Sequence, residues 1–262
     1  MCAELAGESG QEGRLAGRVA IVTGAGQGVG EGIAMAFAKA GARLVLVGRT
    51  PEKLEAVAAA IGEVGGSAHT VQGSVAERST ADRAVAETIS TFGRLDVLVN
   101  NAHTFTPKAP LDEITEEYVR INLESGFFGT FHFMQAAFPH MREAGGSIIN
   151  FGSYAGLLGQ ATYAPYAATK EAIRGLSRSA ARDWGKYKIR VNVLNPATNS
   201  PASLRHFAEH PENLPRILET MAYPYRDTPE NDVGPIAVFL AGDDSHYLTG
   251  QTINADGGQV ML

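Results

Sequence analysis

What most limits the fold of this chain is an alternation. Short, continuous runs of apolar, β-prone residues take turns with stretches where apolar residues recur at helical spacing. R-V-A-I-V-T at 18–23 stops at glycines, and Gly28 to Ala40 then carries the stripe Val29, Ile33, Ala36, Phe37 and Ala40. A-R-L-V-L-V at 42–47 follows, and Pro51 opens the next helix where its missing N–H is tolerated. S-A-H-T-V (weaker), L-D-V-L-V, S-I-I-N-F, I-R-V-N-V-L and Q-T-I-N-A continue the strands. Helices are predicted near 77–92, 111–138, 163–184 and 230–241. Apolar strands each followed by a helix imply a parallel sheet covered on both faces.

The length of 262 residues suits one α/β domain. Residues 1–16 are small, polar and Gly-rich, which predicts a mobile tail before a domain spanning 17–262. Residues 197–228 hold prolines at 201, 211, 215 and 224 and are read as an irregular substrate loop acting as a lid. The 22 basic against 28 acidic residues leave a net charge of −6 with no basic stripe, which argues against nucleic acid as a partner. No apolar run approaches the ~20 residues that span a bilayer, and the N-terminus has no signal-peptide pattern. The single cysteine, Cys2, fits a reducing compartment, so a cytoplasmic protein without a membrane partner is expected. No His/Cys/Asp/Glu cluster has metal-ligand spacing, and no catalytic metal is expected.

The first strand-to-helix turn reads T-G-A-G-Q-G-V-G, Thr23 to Gly30. Gly24, Gly28 and Gly30 are not the G-x-G-x-x-G fingerprint, because counting from Gly26 or Gly28 ends on Glu31 or Ile33. The physics is shared: glycine lets backbone approach a pyrophosphate, and the following helix presents free N–H groups.

Four further pieces appear in order: N-N-A at Asn100–Ala102, Asn122 in a long helix, Ser153 after the fifth strand, and Y-A-A-T-K at Tyr166–Lys170. With T-G-x-x-x-G-x-G they resemble the short-chain dehydrogenase/reductase family over roughly residues 17–262. The resemblance implies a doubly wound, Rossmann-like, seven-stranded parallel sheet in one domain. It implies hydride transfer between a nicotinamide cofactor and an alcohol/ketone pair. It also implies a homotetramer packed through the two long helices, with Phe127, Phe128, Phe131, Ala180 and the tail Gln259–Leu262 as interface candidates. The implied catalytic set is Asn122, Ser153, Tyr166 and Lys170.

Those residue types suit the chemistry. Tyrosine is a weak base at neutral pH, with an ordinary pKa near ~10. Lys170 lies four residues on, on the same helix face, and its charge is expected to lower that pKa. Ser153 can orient the substrate oxygen, and the resemblance has Asn122 hold a water linking Lys170 to solvent. His103 stands where the family usually has glycine and is read as structural, near the cofactor or substrate entrance.

Implied cofactor contacts are Gly24, Gln27, Gly28, Val29, Gly30, Arg49, Ser74, Val75, Asn101, Ala102, Tyr166, Lys170, Pro196, Ala197 and Asn199. NAD-users of the family usually carry an acid at the end of the second strand. Here Gly48 and Arg49 stand there, and arginine pairs well with phosphate, so NADP is expected over NAD. Gln27 replaces a common Lys or Arg, Ser74 a common Asp, and Ala197, Asn199 and Pro201 depart from the usual segment over the nicotinamide. Candidate substrate residues are Phe105, Tyr154, Leu157, Tyr163 and Met221, suiting a hydrophobic ketone or secondary alcohol. The alternative is a non-catalytic nucleotide-binding scaffold or sensor of the same fold.

Overall fold

The structure, a computed structural model, describes residues 13–261. Its elements run β1 (Val19–Thr23), α1 (Gly28–Lys39), β2 (Arg43–Gly48), α2 (Pro51–Glu63), β3 (Ser67–Gln72), α3 (Arg78–Phe92) and β4 (Val97–Asn100). Next come α4 (Glu116–Asn122), a π-helical turn (Leu123–Phe128), α5 (Gly129–Met141), β5 (Gly146–Phe151), α6 (Tyr154–Leu157) and α7 (Ala164–Trp184). The chain ends with β6 (Ile189–Pro196), α8 (Pro201–Glu209), α9 (Asn213–Glu219), α10 (Pro229–Asp232), α11 (Gly234–Ala241) and β7 (Thr252–Ala255).

All seven strands are parallel, in the order β3-β2-β1-β4-β5-β6-β7. This is the expected doubly wound α/β sheet. Strand residues alternate between two cores. Ala20 and Val22 meet Ile33 and Phe37 of α1, Leu54 of α2 and Val238 of α11 on one face. Ile21 meets Val85 of α3, Phe133 of α5 and Ala181 of α7 on the other. Strand order reverses between β1 and β4, and the crevice at the carboxyl ends of these strands is where such sheets bind ligands.

Three expectations change. Packing begins before Gly17: Leu15 is fully buried and its N–H donates to the Ala40 carbonyl, while residues 1–12 of the expected tail lie outside the described residues. The long helix predicted at 111–138 is broken into α4, the π turn and α5. The segment 197–228 is not irregular but holds α8 and α9. Pro201 and Pro215 sit in the first turns of these helices, where an N–H has no intrahelical partner anyway.

Candidate active site

The glycine turn is built by tying β1 to β4. Thr23 Oγ1 accepts from the N–H groups of Asn101 (3.0 Å) and Ala102 (3.1 Å), and Asn101 Nδ2 donates to the Thr23 carbonyl. Gly24 and Gly28 have φ of +68° and +65°, a region that disfavours any side chain. A Cβ at Gly30 would strike the Gly24 carbonyl oxygen, so Gly30 lets α1 pack onto the turn instead of facing a ligand.

A cavity of about 340 Å³ opens over this turn. It runs from Gly48, Arg49 and Thr50 past Gly73–Val75 to Asn101–Phe105, with Ser200, Pro201 and Arg205 on its far wall. Of the expected cofactor residues, Gly24, Gln27, Gly28, Val29, Arg49, Ser74, Val75, Asn101 and Ala102 line it. Pro196, Ala197 and Asn199 do not. The Ala197 N–H extends the β6–β7 ladder to the Ala255 carbonyl, and Asn199 Nδ2 donates to the Arg226 carbonyl inside the lid segment. Sequence reasoning missed Lys53 and Arg205. Lys53 lies on the first turn of α2, four residues after Arg49, and its Nζ donates to Gln27 Oε1. Among the described residues the lining holds Arg49, Lys53 and Arg205 and no carboxylate, in a chain of net charge −6. Such a wall fits a polyanion, and the glycine turn fits the pyrophosphate of a dinucleotide.

Beyond Phe105 lies the cluster expected to carry chemistry. Ser153 caps the short helix α6, its Oγ accepting from the Ala155 N–H at 3.1 Å. Tyr166 and Lys170 stand one turn apart on α7. Lys170 Nζ donates to the Phe151 carbonyl at the end of β5 (2.9 Å) and lies 5.5 Å from the centre of the Tyr166 ring. Burial pushes Lys170 down to about 7. It also pushes Tyr166 up to about 12, with Ser153 pulling the other way. The expectation that Lys170 lowers the Tyr166 pKa therefore does not hold here. Taking the phenolate out of water outweighs the Ser153 hydrogen bond, Tyr154 and Tyr163 act in the same direction as burial, and Lys170 Nζ is committed to a backbone carbonyl. Tyr166 and Lys170 abut the cavity through His103 and Phe105 without lining it.

Asn122 ends α4 and is fully buried. Its Nδ2 donates to Thr106 Oγ1 and to the Tyr118 carbonyl, which leaves Oδ1 as the acceptor facing His103 Nε2 at 2.8 Å. His103 therefore carries its hydrogen on Nε2, and the shielded Nδ1 has no partner. Its ring packs edge-on to Tyr166 at 4.9 Å, and burial with the Lys170 charge holds its pKa down to about 3. A Cβ on Gly126 of the π turn would meet His103 Nδ1 at 2.6 Å, so the turn carries glycine where the imidazole needs space. His103 is thus a neutral packing group, as read, and its signal in the sequence was the missing glycine after N-N-A.

A second cavity, about 230 Å³, is lined by Phe105, Thr106, Pro107, Lys108, Thr162, Tyr163, Pro165 and Tyr166. Phe105 lines both cavities, its ring 4.8 Å from that of Tyr166. Of the expected substrate residues, Phe105 and Tyr163 face this space. Tyr154 is half-buried next to Ser153, with the Arg226 charge acting on its hydroxyl, and Leu157 lines neither cavity. Met221 is buried against the close approach of Gly257 and lines neither cavity.

A family model described as enoyl-(acyl carrier protein) reductase matches residues 24–259. The chain belongs to the short-chain dehydrogenase/reductase family. It is 39% identical over 250 residues to a 12α-hydroxysteroid dehydrogenase of Clostridium sp. (strain ATCC 29733 / VPI C48-50), covering 92% of this chain and 96% of that protein. It is 37% identical over 248 residues to the L-fucose dehydrogenase of Oryctolagus cuniculus, covering 94% and 86%. Among solved structures, a short-chain type dehydrogenase/reductase from Mycobacterium ulcerans superposes with a TM-score of 0.89 at 28% identity, covering 94% and 90%. This short-chain dehydrogenase/reductase is an NAD(P)-dependent oxidoreductase acting on alcohol/ketone pairs.

Proposed function

We propose that this enzyme interconverts a ketone and a secondary alcohol with an apolar ring body, using NADP(H) in preference to NAD(H). The observation that carries the cofactor reading is the end of β2. Arg49 and Lys53 line the cavity there, and among the described residues no carboxylate does. A carboxylate at that place would bond a ribose 2′-hydroxyl and repel a 2′-phosphate; paired cations do the reverse. In the second cavity Phe105, Pro107, Tyr163 and Pro165 offer flat apolar surface for a ring body, beside the polar Thr106, Lys108 and Thr162.

A dinucleotide held along the first cavity would supply or accept the hydride. The chain's residues manage the proton and the charge. In reduction, the Tyr166 hydroxyl gives its proton to the substrate oxygen, and the Ser153 hydroxyl donates to the same oxygen as negative charge builds there. Lys170 titrates near neutral pH one turn away, so its Nζ can hold or release a proton close to Tyr166. His103 and Phe105 keep water from the phenol by packing on its ring. In oxidation the same steps run backwards, and Tyr166 has to act as phenolate.

The test combines Gly48→Asp with Arg49→Ile. A Cβ at Gly48 comes to 3.1 Å from the Leu54 Cδ2 methyl, a flexible end that can yield. The wild type is expected to show a kcat/KM for NADPH about ten- to a hundredfold above that for NADH, the size of one or two charge-assisted hydrogen bonds. The double variant is expected to reverse that order. A wild type that prefers NADH refutes the cofactor reading. NADPH oxidation against a panel of aryl, terpenoid, steroid-like and sugar ketones tests the substrate class, and faster turnover of the sugars overturns it.

A further inference from the structure

The far wall of the nucleotide cavity comes from the substrate side of the molecule. Ser200 and Pro201, at the start of α8, lie within 4 Å of where a Gly28 Cβ would stand, so this helix begins directly across from the glycine turn. Arg205 is one turn further along α8, on the face that Pro201 presents, and lines the same cavity. It is exposed, with Glu209 four residues on as an available partner. Arg78, Arg83 and Arg120 all take such a helical partner, with Asp82, Glu87 and Glu116. Among the described residues Arg205 makes no ion pair, and it stands on the cavity wall.

The three cations of the cavity fall into two groups. Arg49 and Lys53 belong to the end of β2 and the start of α2, while Arg205 stands with Ser200 and Pro201 beside Gly28. Two separated groups suit two separated anionic centres on one ligand. We propose that Arg205 is a clamp on the pyrophosphate of the bound dinucleotide, carried in by α8, so that cofactor occupancy and the position of this helix are linked. The inference rests on reading the cavity as the dinucleotide site. It gives this segment a charged contact with the cofactor, which Ser200 and Pro201 on the same wall do not supply.

The experiment is calorimetric titration of the full chain with NADPH, ADP-ribose and 2′-AMP. ADP-ribose has the pyrophosphate without a 2′-phosphate; 2′-AMP has the reverse. Arg205→Ala is expected to weaken NADPH and ADP-ribose about tenfold and leave 2′-AMP unchanged, while Arg205→Lys recovers most of the loss. Arg49→Ala is expected to do the opposite, weakening 2′-AMP and sparing ADP-ribose. ADP-ribose should slow hydrogen exchange at 201–209 in the wild type and not in Arg205→Ala. Binding of ADP-ribose by Arg205→Ala within twofold of wild type overturns the clamp. An equal loss of 2′-AMP overturns the assignment to the pyrophosphate. A wild type that binds none of the three overturns the dinucleotide reading itself, a result distinct from either.

Discussion

Tyr166 and Lys170 share a helix face, but burial acts on them in opposite senses. A desolvated phenol keeps its proton and a desolvated ammonium gives its proton up. That ordering suits Tyr166 as the acid of a reduction. Tyr166→Phe, which keeps the ring packing on His103 and Phe105, is expected to cut kcat about a hundredfold or more while NADPH still binds. Turnover within a few-fold of wild type would remove Tyr166 from the chemistry. His103 gives a stability test. Its pKa falls from 6.5 in the unfolded chain to about 3 in the folded one. Between those values the unfolded chain binds the extra proton, so stability drops as pH falls, by at most about 1.4 kcal/mol per pH unit. His103→Asn lacks this titration, and its melting temperature should decline less than that of wild type from pH 6.5 towards 3. Parallel curves would show that His103 is not held neutral. That Tyr166 and Lys170 share a helix face was legible from their spacing. The neutrality of His103 was not, because it depends on burial against the Gly126 turn and on the Lys170 charge, twenty-three and sixty-seven positions away in the chain.

The π turn between α4 and α5 shows how an element is shaped by its neighbour. The apolar pattern predicts one long helix, and periodicity alone cannot register a single wide turn. A Cβ at Gly126 would collide with Thr169 Cγ2 on α7 and with the His103 ring, so the turn and α7 approach closely only because this residue is glycine. Gly126→Ala is expected to destabilise the protein by about 1–3 kcal/mol, read from the urea midpoint. Adding His103→Gly should recover part of that loss, as for two side chains competing for one space. Additive effects would mean that the two sites do not touch. Helices α8 and α9 carry the complementary lesson. They are short, of 9 and 7 residues, and helices of that length owe their stability to packing more than to propensity. Their prolines read as breakers in the sequence and turned out to be openers.

At the surface of the whole molecule, Phe128 is 45% exposed, with Phe127 and Phe131 packed beside it. We expect the enzyme to be a homo-oligomer, a tetramer by its family, with these rings at an interface between copies. Light scattering at micromolar concentration should give more than one chain, and Phe128→Asp should shift the mass towards one. A monomeric wild type contradicts this. Two residues once candidates for the interface belong elsewhere: Ala180 lies inside the core under α5, and Val260 is buried in its own chain. Met261 remains exposed, and Leu262 lies outside the described residues.

The parallel sheet, the glycine turn after β1 and the shared helix face of Tyr166 and Lys170 were readable from the chain alone. Each rests on a local rule: strands buried on both faces must be continuously apolar, a tight turn needs glycine, and side chains four apart on a helix share a face. Folding alone decided that Lys53 and Arg205, one on α2 and one on α8, line a single cavity. Folding also set the direction in which Tyr166 titrates, through the depth of its burial. Desolvation and convergence of charge arise between elements distant in the sequence, and no local pattern encodes them.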